Sequence, residues 1–469
     1  MAATDIVIVV VYVLALFLFG VSMGIRETSE DFLVLSRRAN LVMILFSVVS
    51  SWVGVGVIVG TAAAGYDSGI SFALTGALGA VVAVTSVALF APTIKAFGDR
   101  YSAHTIGDFF GVRYSRAARA ITAAIVILVY MLLTAVQFTG LSVLLRVWTG
   151  LDISGLVTLV AITTVVYTAF AGIKSDFYTD AVHFVVMALV LVTIVFPAIY
   201  TQTHGLRDLL LLPKSHFDPF AFGGVGYFFG GLVFGVGVVM VSMELWQRIY
   251  AAANASAAKR ALIGAAFSII PFYLVAAVGG MAVRLSHPGL GDRDLALFIL
   301  MKDLLPRGVL GLGVAAFIAV FISSANTMLM VVSATLTKDV YATFIDSKAS
   351  ERNLLRFGRL STLIAGLGGW GLSYAIHDII TLSITALFLL LIFLPAIIGG
   401  FFWPRSTNSA AIASVVTGFV ATVIGLRFLP TTAFVPAFML SVVVFVAVSF
   451  RSDHGREETL IITTDREAR

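Results

Sequence analysis

The sequence predicts an all-α integral membrane protein with about thirteen membrane-crossing helices. Three observations carry that expectation. Of the 469 residues, 59% are hydrophobic and 12% charged, against about 25% charged in a typical soluble chain. The apolar residues fall in runs of about 18 or more, enough to cross about 30 Å of hydrocarbon at 1.5 Å per residue. The basic residues collect in short loops between those runs, so the net charge of +5 reads as an orientation signal rather than a nucleic-acid patch. No cysteine is present, which excludes disulfides and thiolate metal sites.

In chain order the expected spans are about 4–25, 40–65, 69–97, 118–146, 152–172, 178–200, 222–245, 261–284, 308–333, 356–377, 379–403, 408–426 and 431–450. The first run, Ile6 to Met23, has no basic stretch before it and no Ala-x-Ala cleavage site after it, so it is a retained helix rather than a signal peptide. The tenth and eleventh spans are separated only by Ile376–Asp378, the weakest stop in the series. Thirteen spans place the termini on opposite sides. One set of loops, with the C-terminal tail, holds 22 Lys and Arg, and the other set holds 8. The N-terminus is therefore expected outside and the C-terminus in the cytoplasm, with a bacterial inner membrane as the expected location. Loops of at most about 25 residues are too short to fold alone, so residues 1–469 form a single transmembrane domain.

Two spans are interrupted. The second reads Ser50-Ser51-Trp52-Val53-Gly54-Val55-Gly56, then Gly60-Thr61; the seventh holds Gly230-Gly231, Gly235-Val236-Gly237 and Ser242-Met243-Glu244. Glycine in either span serves close helix packing equally well. The two lie five spans apart, however, and paired interruptions at corresponding places of two halves point to an inverted-repeat transport site. An unwound turn frees backbone carbonyls that replace water around a cation. The ninth span adds Ser323, Ser324, Asn326 and Thr327 to an apolar helix; Ser323, Asn326 and Thr327 share one face. They serve either as polar links between helices or as oxygen donors to a hard cation such as sodium.

The stretch from Ser323-Ser324 through Ser333-Ala334 to Thr337-Lys338-Asp339-Val340-Tyr341 resembles the signature of the sodium:solute symporter family. So do Ala171-Gly172-Ile173-Lys174-Ser175-Asp176-Phe177-Tyr178-Thr179-Asp180-Ala181-Val182-His183, with His183 in place of the family's glutamine, Trp246-Gln247-Arg248, and Asp31-Phe32-Leu33 leading to Arg37. The resemblance implies a five-plus-five inverted-repeat core, with repeats over about 40–200 and 222–403, one extra helix before it and two after. It implies a sodium ion held by the carbonyls of Ser50, Val53 and Val320 and the hydroxyls of Ser323 and Ser324. Positions matching a second sodium site are Asp180, Ser323, Asn326 and Thr327, with Asn326 where two-sodium members have serine.

The solute site is expected near the bilayer midplane, between the second and seventh spans, lined by Trp52, Val57, Gly76, Gln137, Ser242 and Glu244, with Gln137 included as a polar residue inside the fourth span. Sugar-transporting members carry polar groups where Trp52, Val57 and Gly76 stand, and proline transporters carry aspartate in place of Trp52. The run Ser51-Trp52-Val53-Gly54 is similar to the choline-transporter branch, where the tryptophan meets a quaternary ammonium, but Ser242 stands where that branch has a second tryptophan. Gln137 is equally well a helix–helix contact. Glu244 pairs with Arg248 one turn on, reads a cationic solute or carries a proton. Asp180 has a helix-capping or surface role as its simpler account. The expected activity is sodium-coupled uptake of a small organic solute; the alternatives are proton coupling on the same fold, or a transporter-like solute sensor. No enzyme motif, organic cofactor, nucleic-acid surface or obligatory protein partner is expected; the partners are the solute, sodium and the lipid bilayer.

Overall fold

The computed structural model describes residues 2–24, 27–150, 152–375, 379–429 and 432–451. They are helical almost throughout, and no strand occurs among them. α1 (Ala3–Gly24) is apolar all round and mostly exposed, as a lipid-facing helix is. Its exception is Asp5, which is buried and accepts hydrogen bonds from the Gly308 and Gly311 amides at 2.7 and 2.8 Å. Thr28 caps α2 (Ser29–Val34), and Leu35, Ser36 and Arg37 then make a left-handed turn. Asn40 caps α3 (Leu41–Trp52) by accepting the Met43 amide at 3.0 Å.

α3 stops at Val53, a wide π-helical turn covers Gly56–Gly60, and α4 (Thr61–Ser68) follows. The two halves are bent by 58°, so the expected span 40–65 is a broken helix. α5 (Ser71–Tyr101), α6 (Ile106–Arg113), which starts with a capping box of Thr105 and Asp108, and α7 (Arg116–Thr149) come next. Within α8 (Ile153–Met187) the two expected spans 152–172 and 178–200 meet at a kink with no loop between them, as the apolar stretches Ile153–Phe170 and Gly172–Gln202. The break is Gly172 alone, at φ 58 and ψ −179, a conformation that glycine tolerates and other residues do not. The helix continues through a π-helical stretch, Ala188–Val195, into α9 (Phe196–Gln202).

The second expected interruption falls between α10 (Gly224–Val241) and α11 (Met243–Ala251), at an extended Ser242. α12 (Ala255–Ser268) and α13 (Ile270–Ser286) form one span, and α14 (Ala296–Leu304) is a short helix in the following loop. α15 (Val309–Ala334), prolonged to Ile345 by π-helical turns, is the most interior span. α16 (Glu351–Ser373), α17 (Ile379–Leu389), α18 (Leu394–Phe402), α19 (Asn408–Gly425) and α20 (Phe434–Arg451) complete the order. Among the described residues, eleven helical stretches are long and apolar enough to cross a bilayer, and the bent α3–α4 pair makes a twelfth. α16 takes the place of the expected span 356–377 but, with Arg352, Arg356 and Arg359 in its first half, does not reach the same apolar level. The stop at Ile376–Asp378 lies outside the described residues.

α15 packs against α1, α3, α7 and α8, which sets its polar residues at the centre of the molecule. A single isolated bridge joins the chain entering α3 to the chain leaving α11: Ala39 N donates to the Ala251 carbonyl and Ala253 N to the Ala39 carbonyl, both at 2.9 Å.

Beside the Gly172 break, the Glu27 carboxylate is buried with no hydrogen-bond partner, and a side chain on Gly172 would sit 2.5 Å from it. Burial pushes the Glu27 carboxyl up from 4.5 to about 9, against the pull of Arg359 and Lys174. The folded chain therefore holds a proton here that the unfolded chain has lost above about 4.5, and stability falls as pH rises through the window from 4.5 to about 9. Glu27→Gln is expected to flatten the fall of melting temperature between pH 5 and 9, roughly that window. Parallel pH profiles for wild type and variant would refute it.

Candidate ion and solute site

The break after α3 begins with a lost helical bond. The Gly54 amide turns to the Trp52 carbonyl at 2.8 Å, so the Ser50 carbonyl is left without its ordinary i+4 donor. Gly54 is required here for space, because a Cβ would lie 2.8 Å from Ser324 Oγ. Ser324 Oγ donates to the Ser51 carbonyl at 3.1 Å, and Ser50 Oγ donates to Ser323 Oγ at 2.7 Å. Ser323 in turn donates to Asp180 Oδ1 at 2.6 Å. Ser50, Val53, Val320, Ser323 and Ser324 are all buried. Hydroxyls from α3 and α15 and the released Ser50 carbonyl thus lie together away from water, which is a donor set for a hard monovalent cation.

Behind this cluster lies a buried charge group. Arg248 Nη2 is 3.2 Å from Asp180 Oδ2, 3.5 Å from Asp176 Oδ2 and 2.8 Å from Thr327 Oγ1. Its Nε donates to Ser47 Oγ at 2.9 Å, and Ser47 donates to Asp180 Oδ2 at 2.5 Å. Asp180 is fully buried and is neither a helix cap nor a surface group. Asn326 Oδ1 accepts from Thr168 Oγ1 at 2.5 Å. The expected pairing of the Glu244 carboxylate with Arg248 is not formed: Arg248 Nη1 donates to the Glu244 backbone carbonyl at 3.1 Å, because two aspartates claim the rest of the guanidinium. The Glu244 carboxylate instead accepts from the Tyr130 hydroxyl, which itself accepts the Met243 amide at 2.9 Å. Tyr130 so closes the start of α11, where the backbone leaves an amide without an intrahelical partner.

The six candidate solute residues fall in four places. Gln137 lies at the first break, its amide nitrogen 3.7 Å from where a Cβ on Gly54 would be. Ser242 and Glu244 sit at the second break with Tyr130. Gly76 packs against the Tyr273 ring, so closely that any Cβ at that position would collide with it, and Trp52 lies beside the Tyr273 hydroxyl. Val57 is buried in the π-helical turn. A cavity of about 160 Å³ opens next to them, lined by Val55, Gly56, Val59, Phe72, Gly140 and Phe388 among others, and none of the six lines it. It lies beside the C-terminal part of α7 and residues 383–388 of α17.

The opposite ends are closed by ion pairs. Arg119 meets Asp339 at 2.8 Å and Asp108 at 2.5 Å, and Thr105 donates to Asp339 at 2.8 Å. Arg37 donates to the Ala103 carbonyl at 2.9 Å, and Lys95 binds Asp99 at 2.6 Å and the Tyr250 carbonyl at 3.2 Å. On α6, burial works against the Asp108 charge, but Arg119 and His104 outweigh it and hold its carboxyl below the ordinary value.

Residues 32–418 match the Sodium:solute symporter family. The chain belongs to that family. Its relatives include the urea-proton symporter DUR3 of Oryza sativa subsp. japonica, 27% identical over 74% of this chain and 52% of that protein. They also include the sodium/glucose cotransporter of Vibrio parahaemolyticus, 23% identical over 91% of this chain and 85% of that protein. The chain thus spans about half the length of the rice relative. A solved structure described as the substrate-bound outward-open state of a Na+-coupled sialic acid symporter has the same fold, with a TM-score of 0.85 at 17% identity over 96% of this chain and 98% of that one. This family is one of transporters, and the expectation that the chain is not an enzyme agrees with it.

In this family member the sequence alone left several participants unseen. Ser47 lies one turn before Ser51, within a run already marked as interrupted, and Asp176 stands inside the motif that carries Asp180. Both could have been found by extending those stretches by a single turn. Tyr130 and Tyr273 carry no local signal, because each is placed only by packing of distant helices.

Proposed function

We propose that this chain is a sodium-coupled symporter that carries a small organic solute into the cytoplasm by alternating access. The observation that carries the reading is the buried hydroxyl and carbonyl cluster at the α3 break, facing Ser323 and Ser324 on α15. Sodium is bound there by the carbonyls of Ser50, Val53 and Val320 and the hydroxyls of Ser323 and Ser324. The solute lies next to it, between the two broken helices, reached by Trp52, Val57, Gln137, Ser242 and Glu244, with Gly76 and Tyr273 forming the wall behind. The cavity on one side and the ion pairs on the other support an outward-facing arrangement of two repeats, about 40–200 and 222–403, in an inner membrane with the N-terminus outside. The membrane potential adds about 2.3 kcal/mol per charge per 100 mV to the driving force. A thermal-shift screen of small solutes on the purified protein should show stabilisation that requires sodium and fails with potassium. Solute stabilisation of equal size in both salts removes the reading.

Proton coupling is the second reading, and one observation favours it: Glu244 places a carboxylate, held by Tyr130, at the break between α10 and α11. A relative is named a urea-proton symporter. If Glu244 carries a proton, Glu244→Gln abolishes the pH dependence of uptake and keeps solute affinity. If it reads a cationic solute, that affinity falls about tenfold to a hundredfold, the worth of a desolvated charge contact. Uptake and affinity measured from pH 5 to 9 separate these outcomes. With both unaltered and stability lowered, Glu244 is left as the partner that positions Tyr130.

A further inference from the structure

A second cavity, of about 300 Å³, runs between α18 and α20 and shares no lining residue with either helix break. Its lining carries no charge: Leu394, Ile398 and Trp403 face it from α18 and the turn after it, and Phe438, Val442 and Val446 from α20. The four-residue spacing along each helix puts the lining on one face. Ile398 and Val446 stay 37% and 38% exposed, so this is a groove open at the edge of the protein and not a hole in its core. Gly399 forms its floor, where a Cβ would lie 2.4 Å from the Phe445 ring. One end is different in kind. The Trp403 ring packs on Phe450 at 5.6 Å, the Arg405 guanidinium stands 5.4 Å over the Phe450 ring, and Arg451 is the next residue. Both arginines are exposed, and neither makes an ion pair among the described residues. Arg113 of α6 holds the turn in place by donating to the Gly400 and Ser406 carbonyls, both at 3.0 Å.

We propose that this groove binds an anionic phospholipid, one acyl chain lying along α18 and α20 and the headgroup phosphate meeting Arg405 and Arg451. Depth supports it. The helix from Phe438 to Phe450 covers about 18 Å at 1.5 Å per residue, close to half of a hydrocarbon core about 30 Å thick. Trp403 stands at the end of that length, as indole rings do where acyl chains give way to headgroups. An apolar groove alone takes any lipid. Two guanidiniums with no carboxylate of their own select a negative headgroup, and the arginine fork suits phosphate oxygens. A free phosphate would leave the groove unused. A second copy of the chain, turned about an axis along the membrane normal, would bring its own Arg405 and Arg451 to the same level and set four like charges together.

The test is selective binding. The purified full chain in detergent is titrated with phosphatidylglycerol, or with phosphatidylcholine of the same acyl chains, and bound lipid is counted by native mass spectrometry. Phosphatidylglycerol is expected to bind about tenfold more tightly or better, and inorganic phosphate at the same concentration is expected not to displace it. Arg405→Gln/Arg451→Gln should remove the preference and leave phosphatidylcholine binding and the lipid-free melting temperature as they were, since both side chains are exposed. Val442→Trp, which fills the groove and keeps the arginines, should weaken both lipids about tenfold or more. Equal affinity of the wild type for the two lipids overturns the proposal, and so does a preference that survives loss of both arginines. Displacement by phosphate marks a headgroup site with no use for the groove, and lipid binding untouched by Val442→Trp places the lipid elsewhere; each overturns it. A wild-type dimer that excludes phosphatidylglycerol makes the groove a contact between copies and overturns it as well.

Discussion

Ser323→Ala or Ser324→Ala should raise the sodium concentration for half-maximal uptake about tenfold or more, since losing one oxygen ligand costs on the order of 1–2 kcal/mol. The two hydroxyls contribute through different helical contacts, Ser323 toward Ser50 and Asp180 and Ser324 toward the Ser51 carbonyl. The double variant should therefore lose more than either single change but less than the roughly hundredfold of full additivity, because the residues are neighbours. Solute affinity at saturating sodium is expected to hold. That separates loss of an ion ligand from general loosening of the interface between α3 and α15. Sodium dependence unchanged in both single variants would sink the assignment.

The second large effect is expected at the end that the proposed orientation places inside. Arg119 joins Asp108 on α6 to Asp339 beyond α15, and Asp339 is 1% exposed. Arg119→Ala leaves two carboxylates close together with their shared cation gone, a change that costs about 3–5 kcal/mol for a buried pair. In the arrangement proposed above this is the closed inner end, so the population should then move toward an inward-facing form; a shift from 1:99 to 99:1 takes about 5.5 kcal/mol. The chain has no cysteine, so Ser242→Cys gives a unique reporter at the second helix break. Its labelling from the cytoplasmic side is expected to speed up at least tenfold, on the order of the ratio that 1.4 kcal/mol provides, when Arg119→Ala is added. Arg119→Lys, which keeps charge but not the fork, should fall between. Equal labelling rates with and without Arg119 would show that the ion pairs do not hold this end shut.

How much of this was readable from residue order follows from which interactions are local. The interruption at Ser50 to Gly56 was legible, because its glycine cluster in an apolar run is itself a local signal, whereas in the seventh span Gly230 to Gly237 stay helical and the break falls after them, at Ser242. The broken helix at 58° is the structural counterpart of the first. The polar face of α15 was legible by its spacing. The stop between the fifth and sixth spans is tighter than their spacing suggests: a single residue, Gly172 at positive φ, separates the two helices. Arg248 looked like a partner for Glu244 at helical spacing, yet it reaches to α8, because two buried carboxylates hold it more strongly than one neighbour on its own helix. Charge placement across helices is set by the tertiary packing, and a linear reading has no access to it.

The small bridge between Ala39 and the Ala251–Ala253 stretch has a mechanical meaning. It stitches the inner stub of one discontinuous helix to the inner stub of the other, so α3 and α11 cannot swing independently without parting two backbone hydrogen bonds. Ser50 of the hydroxyl cluster rides on α3 and Glu244, in contact with Tyr130, on α11. In the proposed cycle the yoked stubs would move the two breaks together, and a movement of one alone would first have to tear the stitch.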